Sequence, residues 1–150
     1  MIIIYHCFGG SHSSVTAASI HLGLIPADRV PSNEELMSLP YFDKTPKGDW
    51  GTIRPMGVDE NGNMVYVMGK KNLGDRFNHM LMGLADLAGI QNDIKVINTV
   101  QCVNLLMMLG GFTSRRLRIV KVGRPIVIFG TQRAFFSLAQ LVTNVKATML

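Results

Sequence analysis

The sequence predicts a single α/β domain, three-layered, with a mostly parallel sheet and an inserted β-hairpin. Three observations predict it. Short apolar runs alternate with helical patterns along the chain, and the first run, Met1–Ile4, does not alternate polar with apolar, so it reads as a strand buried on both faces. One Asn-Gly pair, Asn61-Gly62, stands between two β-prone runs, which is a hairpin signal. At 150 residues, with 47% hydrophobic and 17% charged residues, the chain is long enough for one buried core and too apolar for disorder. No repeat, low-complexity tract or linker divides it, so residues 1–150 form one domain.

Met1–Phe8 is the first strand. Ser13 or Ser14 caps the helix that follows, and Gly23 with Pro26 ends it. Pro31-Ser32-Asn33-Glu34-Glu35 starts a second helix, with Ser32 as cap and Glu35 at the capping-box position. Pro40–Gly51 has no apolar periodicity and reads as a surface loop long enough to carry function. Thr52–Val58 and Asn63–Met68 then pair about the Asn-Gly turn as an edge insertion. Leu73–Ala88 is a helix closed by Gly89, Ile94–Thr99 a strand, Cys102–Leu109 a short helix ended by Gly110-Gly111, and Leu117–Val122 a further strand. Pro125–Phe129 fits a strand or the start of the last helix, because five apolar residues do not decide between them. The short strand is preferred, with Gly130 and Thr131 leading into a terminal helix through Val145. The methionines at 80, 82, 107 and 108 fall in helical patterns as core filler. The alternation as a whole is Rossmann-like or P-loop-like.

Charge is distributed unevenly. The chain carries 15 basic and 10 acidic residues for a net +5, yet no acid follows Asp93, whereas Lys95, Arg115, Arg116, Arg118, Lys121, Arg124, Arg133 and Lys146 do. Such asymmetry points to an anionic partner for the C-terminal half, or to arginines lying solvated over a helical surface. The longest apolar runs, Ile126–Phe129 and Leu105–Leu109, are far below the roughly 20 residues that span a bilayer, so no membrane partner is expected. Met1-Ile2-Ile3-Ile4 lacks a basic leader, and the two cysteines, Cys7 and Cys102, form neither a metal-type pair nor a disulfide framework. A cytoplasmic chain with reduced thiols follows, and a homo-oligomer is compatible with it.

The segment Tyr5-His6-Cys7-Phe8-Gly9-Gly10-Ser11-His12-Ser13 lies between the first strand and the first helix. A strand running into a glycine turn and a helix start gathers unpaired N–H groups, a positive dipole end and hydroxyls around one point, which suits a phosphate. Gly9, Gly10, Ser11, Ser13 and Ser14 are the expected anion ligands, Cys7 the nucleophile and His12 the proton shuttle. The plainer reading is a glycine turn for close strand–helix packing, with Cys7 a small buried hydrophobe. No metal site is expected: adjacent strand residues point to opposite faces, leaving Cys7 and His12 as two ligands where zinc takes three or four.

Gly110-Gly111-Phe112-Thr113-Ser114-Arg115-Arg116 and Gly130-Thr131-Gln132-Arg133 offer arginines to the same sheet rim, and Arg115 is preferred over Arg116 and Arg133 as the cation near the first loop. Asp43, Asp49, Asp59 and Glu60 suit magnesium or general acid work, and suit turn chemistry better.

Cys7-Phe8-Gly9-Gly10-Ser11-His12-Ser13-Ser14 resembles the phosphate loop of low-molecular-weight tyrosine phosphatases and arsenate reductases, with Ser13 where that loop has its arginine. It is also similar to the phosphocysteine loop of sugar-specific IIB components of the bacterial phosphotransferase system, which Gly10, Ser13 and Ser14 match without an arginine. A Walker A loop is not satisfied, since its second glycine and lysine are missing. With Pro40-Tyr41-Phe42-Asp43-Lys44, Gly110–Arg116 and Gly123-Arg124-Pro125-Ile126-Val127, the first segment resembles, nearly end to end, the bacterial family called domain of unknown function 3189. That resemblance implies a cytoplasmic protein of Gram-positive spore formers and carries no activity with it.

The expected function is binding of a phosphate ester or nucleotide, with phosphohydrolase or phosphotransferase chemistry at Cys7. The alternative is a noncatalytic regulatory or scaffolding protein that binds an anionic partner or nucleic acid through its basic half. The expected partner is a phosphorylated small molecule or nucleotide, with nucleic acid less favoured, and no cofactor is named by the sequence.

Overall fold

The opening apolar run forms strand β1 (Ile2–Cys7), which pairs in parallel with β3 (Met64–Gly69) on one side and β4 (Ile94–Asn98) on the other. Strand β2 (Arg54–Val58) closes the β3 edge antiparallel, giving an open four-stranded sheet of order β2-β3-β1-β4. The computed structural model describes residues 1–46, 48–74 and 76–149. Lys47, in the expected surface loop, and Asp75, in the expected third helix, lie outside the described residues. The fold is therefore mixed α/β: two strand pairings are parallel, and the Asn-Gly hairpin supplies the antiparallel one at the edge.

Pleating sends alternate β1 residues to opposite faces. Ile3 and Tyr5 join Val65 and Val67 under helices α1 (Ser13–His21) and α5 (Val120–Ala147), where Phe135 and Leu138 are fully buried. Each such side chain contributes about 2 kcal/mol by leaving water. Ile4 and Met68 face the other way, against Phe77 and Leu81 of α3 (Arg76–Leu87). Helix α2 (Asn33–Ser38) begins with the expected capping box, in which Ser32 Oγ accepts from Glu35 N–H and the Glu35 carboxylate from Ser32 N–H.

The C-terminal third corrects several expectations. Leu117–Val122 and Pro125–Phe129 are not strands, since α5 runs through Val120–Ala147 with Pro125 inside it. Gly110-Gly111 does not end a helix either: α4 (Leu105–Gly111), capped by the Asn104 side chain, continues into a π-helical turn at Phe112–Arg116. Packing explains both. A Cβ on Gly110 or Gly123 would collide with the backbone of the facing helix, and one on Gly130 would lie 2.7 Å from Met107 N. These glycines let α4 and α5 meet backbone to backbone, a tertiary gain that overrides the β propensity of the valines between them. Within α5 an 18-residue window reaches mean hydropathy 1.3, enough in length and composition to cross a membrane, and half of that window is buried inside this fold.

Candidate functional site

Because β1, β3 and β4 are parallel, the loops after them leave one edge of the sheet, and the candidate residues gather there. Cys7 is opposite Gly69 in register. A Cβ on Gly10 would lie 2.6 Å from Gly69 N, and one on Gly69 2.9 Å from the Gly9 carbonyl carbon, so the two chains touch through bare backbone. Gly10 also adopts φ +65°, a conformation that disfavours any side chain. Gly9 meets only Ser11 Oγ, at 3.9 Å, and is not sterically required. Lys70 N–H donates to Cys7 O and Lys71 N–H to Phe8 O, each at 2.9 Å, which fixes the loop's departure.

This loop curls around the Cys7 sulfur. Gly10 N–H donates to Sγ at 3.1 Å, and Ser14 Oγ lies 3.2 Å from it. Burial alone would push the thiol pKa up, but the hydrogen bonds from Ser14, Ser13 and Gly10 outweigh it and hold the group below the ordinary thiol value.

Neither Ser13 nor Ser14 caps α1, as the sequence suggested; His12 is the N-cap and makes no side-chain cap bond. The two hydroxyls turn elsewhere, Ser14 to Cys7 and Ser13 to Thr99 Oγ1 at 2.9 Å. Among the described residues no main-chain carbonyl accepts from the N–H groups of Ser11, His12 or Ser13, so the start of the helix keeps its donors.

A family model described as a protein of unknown function, DUF3189, matches residues 2–147. The chain belongs to the DUF3189 family. No curated protein and no solved structure matches it.

In this DUF3189 protein the four sequence segments quoted for the resemblance meet at one carboxylate. Asp43 is buried, with φ +51°, and its Oδ1 lies 3.1 Å from His12 Nε2 of the first segment. Ser114 Oγ donates to both carboxylate oxygens at 3.0 and 2.8 Å, and Arg124 Nε donates to Oδ2 at 2.9 Å. Burial raises the pKa of Asp43, yet the bonds from His12, Arg124 and Ser114 prevail and hold it at about 2. Asp43 is thus a fixed anion and an orienting group rather than an acid. An imidazole whose Nε2–H faces that anion turns Nδ1 toward the C-terminal end of α4, where a Cβ on Gly111 would lie 3.4 Å from it.

Arg115, the preferred cation, reaches the loop through this hub. Its Nη1 donates to Asp43 O at 2.9 Å, and Asp43 N–H donates to Ser11 O at 3.1 Å. Ser11 Oγ is paired with Thr45 Oγ1. Arg116 and Arg133 lie instead over the rings of Phe112 and Phe129, each at 5.7 Å. Thr45, Gly69 and Thr99 carry no spaced motif in the sequence, and Ser114 and Arg124 carry no role of their own there. Turn chemistry is the favoured sequence expectation for Asp43; the signal for its place at the centre is that Asp43, Ser114 and Arg124 all lie in the segments quoted for the resemblance. Asp59, weighed with it, serves a different buried relay, in which Tyr5 Oη lies 2.8 Å from His21 Nδ1 and His21 Nε2 lies 3.0 Å from Asp59. Among the described residues no three His, Cys, Asp or Glu side chains gather as a metal site.

Proposed function

We propose that this protein binds phosphate esters or nucleotides in the loop between β1 and α1, and that Cys7 attacks the phosphoryl group. One observation carries the reading: the Cys7 sulfur accepts from Gly10 N–H and sits beside Ser14 Oγ, inside the loop and below the ordinary thiol pKa. A thiolate is the reactive form of cysteine, and a helix start favours the anion it meets. With 5% of its surface exposed, Cys7 meets only what the loop admits.

In this scheme the amides of Gly9, Ser11 and Ser13 hold the phosphoryl oxygens, Gly10 and Ser14 hold the attacking sulfur, and Arg115 neutralises charge. Attack by Sγ forms an S–P bond while the P–O bond to the leaving group breaks, and that oxygen takes a proton from His12. Water then attacks phosphorus, gives its proton to His12, and the S–P bond breaks to return the thiolate. Transfer to another acceptor in place of water makes the same site a phosphotransferase. Position at the carboxyl ends of parallel strands, with helices on both sheet faces, supports kinship with three-layer Rossmann-like or P-loop-like folds. Both cysteines are free, which supports a reducing, cytoplasmic setting.

The test uses the whole chain with p-nitrophenyl phosphate, and inorganic phosphate in a thermal melt. Hydrolysis that disappears in Cys7→Ser and falls roughly a hundredfold in His12→Ala is expected, together with a phosphate-dependent rise in Tm. Wild-type protein that neither turns over the ester nor gains stability from phosphate overturns the reading and favours the noncatalytic alternative.

A further inference from the structure

Trp50, the only tryptophan of the chain, stands 44% exposed at the sheet edge that carries the Cys7 loop. Strand β2 runs antiparallel to β3, so residues 49–51, just before its start, lie beyond the end of β3, where the loop after β1 also emerges. A single exposed hydrophobe is ordinary, but this one is fastened on three sides. The Asp49 carboxylate pairs with the Arg54 guanidinium, Gly51 N–H donates to Gly69 O at 2.9 Å, and the Lys71 ammonium lies over the indole, 4.4 Å from its centre. Gly51 has φ +85°, a left-handed turn that presents Trp50 and returns the chain toward β2. An aromatic ring already held in place and still open to solvent loses little freedom when a planar ligand stacks on it.

We propose that Trp50 stacks the base of a nucleoside monophosphate whose phosphate lies in the loop between β1 and α1, an inference that rests on the phosphate reading of that loop. Reach selects this ligand. The Trp50 turn is bonded to the β2 side of β3, so it lies two strand spacings, about 10 Å, from the strand that ends at Cys7. A ribose sets its base apart from its phosphate by a span of that order, whereas an aryl ester carries its ring on the ester oxygen itself and falls short of Trp50. Lys71 links the two places: its N–H donates to Phe8 O, in the loop, and its ammonium covers one face of the indole. The base takes the other face, in the stacking mode that aromatic side chains offer to any base.

Calorimetric titration of the whole chain with AMP, ribose 5-phosphate and inorganic phosphate tests the proposal, and the single indole reports AMP directly through its fluorescence. AMP should bind about tenfold or more tighter than ribose 5-phosphate and should alone quench Trp50, since stacking on one aromatic ring supplies a factor of that size. Trp50→Ala should bring the ratio of the two affinities near one, and Trp50→Phe should keep most of it. Equal wild-type affinities for AMP and ribose 5-phosphate overturn the stacking site while the phosphate reading stands, as does a ratio that survives in Trp50→Ala or tighter AMP binding that leaves the fluorescence unmoved. Wild-type protein that binds none of the three compounds overturns the phosphate reading and the stacking site with it.

Discussion

His12 Nε2 and Arg124 Nε meet opposite oxygens of the Asp43 carboxylate, at 3.1 and 2.9 Å. One anion therefore orients the imidazole beside the Cys7 loop and ties it to α5. With Asp43 ionised, Nε2 carries the hydrogen of a neutral His12, and Nδ1 is the nitrogen left for the proton transfer of the proposed reaction. Replacing Asp43 by Asn removes that bias, so p-nitrophenyl phosphate hydrolysis should fall roughly a hundredfold, with kcat rather than KM affected.

Stability should respond too. The folded pKa of Asp43, about 2, lies below the ordinary 3.8, so its contribution is present above pH 3.8 and is lost as pH falls through 2. The shift is worth about 2 kcal/mol at pH 7. Urea unfolding of Asp43→Asn should show that deficit at pH 7 and a shrinking one toward pH 2; equal deficits at both would refute the linkage.

The two thiols should titrate on opposite sides of the ordinary value. Cys7 is pulled down by its hydrogen bonds despite burial, whereas burial alone pushes Cys102 up. Thiolate absorbance in Cys102→Ser should therefore rise at lower pH than in Cys7→Ser. Removing the hydroxyl beside the sulfur in Ser14→Ala should move the Cys7 midpoint upward; an unmoved midpoint would show that Ser14 does not stabilise the thiolate.

Gly10→Ala should destabilise the protein by about 3 kcal/mol, combining the overpacking of a Cβ 2.6 Å from Gly69 N with the strain of φ +65° on an L residue. Gly9→Ala, whose Cβ meets only Ser11 Oγ at 3.9 Å, should cost far less. Urea midpoints compare the two directly, and similar losses would remove the argument that Gly10, unlike Gly9, is required for the loop's close approach to β3.

What could be read beforehand depended on how local the signal was. The first strand, the capping box at Ser32 and the Asn61-Gly62 hairpin are written in adjacent residues, and each is where the sequence put it. The strand expected at Leu117–Val122 and the strand preferred over a helix start at Pro125–Phe129 give way to α5 from Val120 because that helix packs with Gly110 meeting Gly123, a contact with no local trace. The same limit applies to the site. The anion loop is continuous in sequence, but the Asp43 hub is assembled from His12, Ser114 and Arg124, the last 81 residues away. The expected cap at Ser13 or Ser14 failed for a related reason: both hydroxyls found tertiary partners, Thr99 and Cys7.

His6 predicts acid sensitivity on the opposite face of the sheet. Its ring is fully buried, packs edge-on against Phe77 with centroids 4.8 Å apart, and neither ring nitrogen has a hydrogen-bond partner among the described residues. Burial and then the Lys70 ammonium, against the pull of the Asn78 amide, lower its pKa from 6.5 to about 4. Between those values the unfolded chain binds a proton that the folded chain refuses, so stability is full above pH 6.5 and declines as pH falls toward 4. The decline should reach about 3 kcal/mol. Substituting His6→Leu removes the titrating group and leaves no partner stranded, so it should cost little at pH 7 and should flatten this slope. Urea unfolding of both proteins from pH 7 to pH 4 makes the comparison, and an unchanged slope in His6→Leu would place the acid sensitivity at another residue.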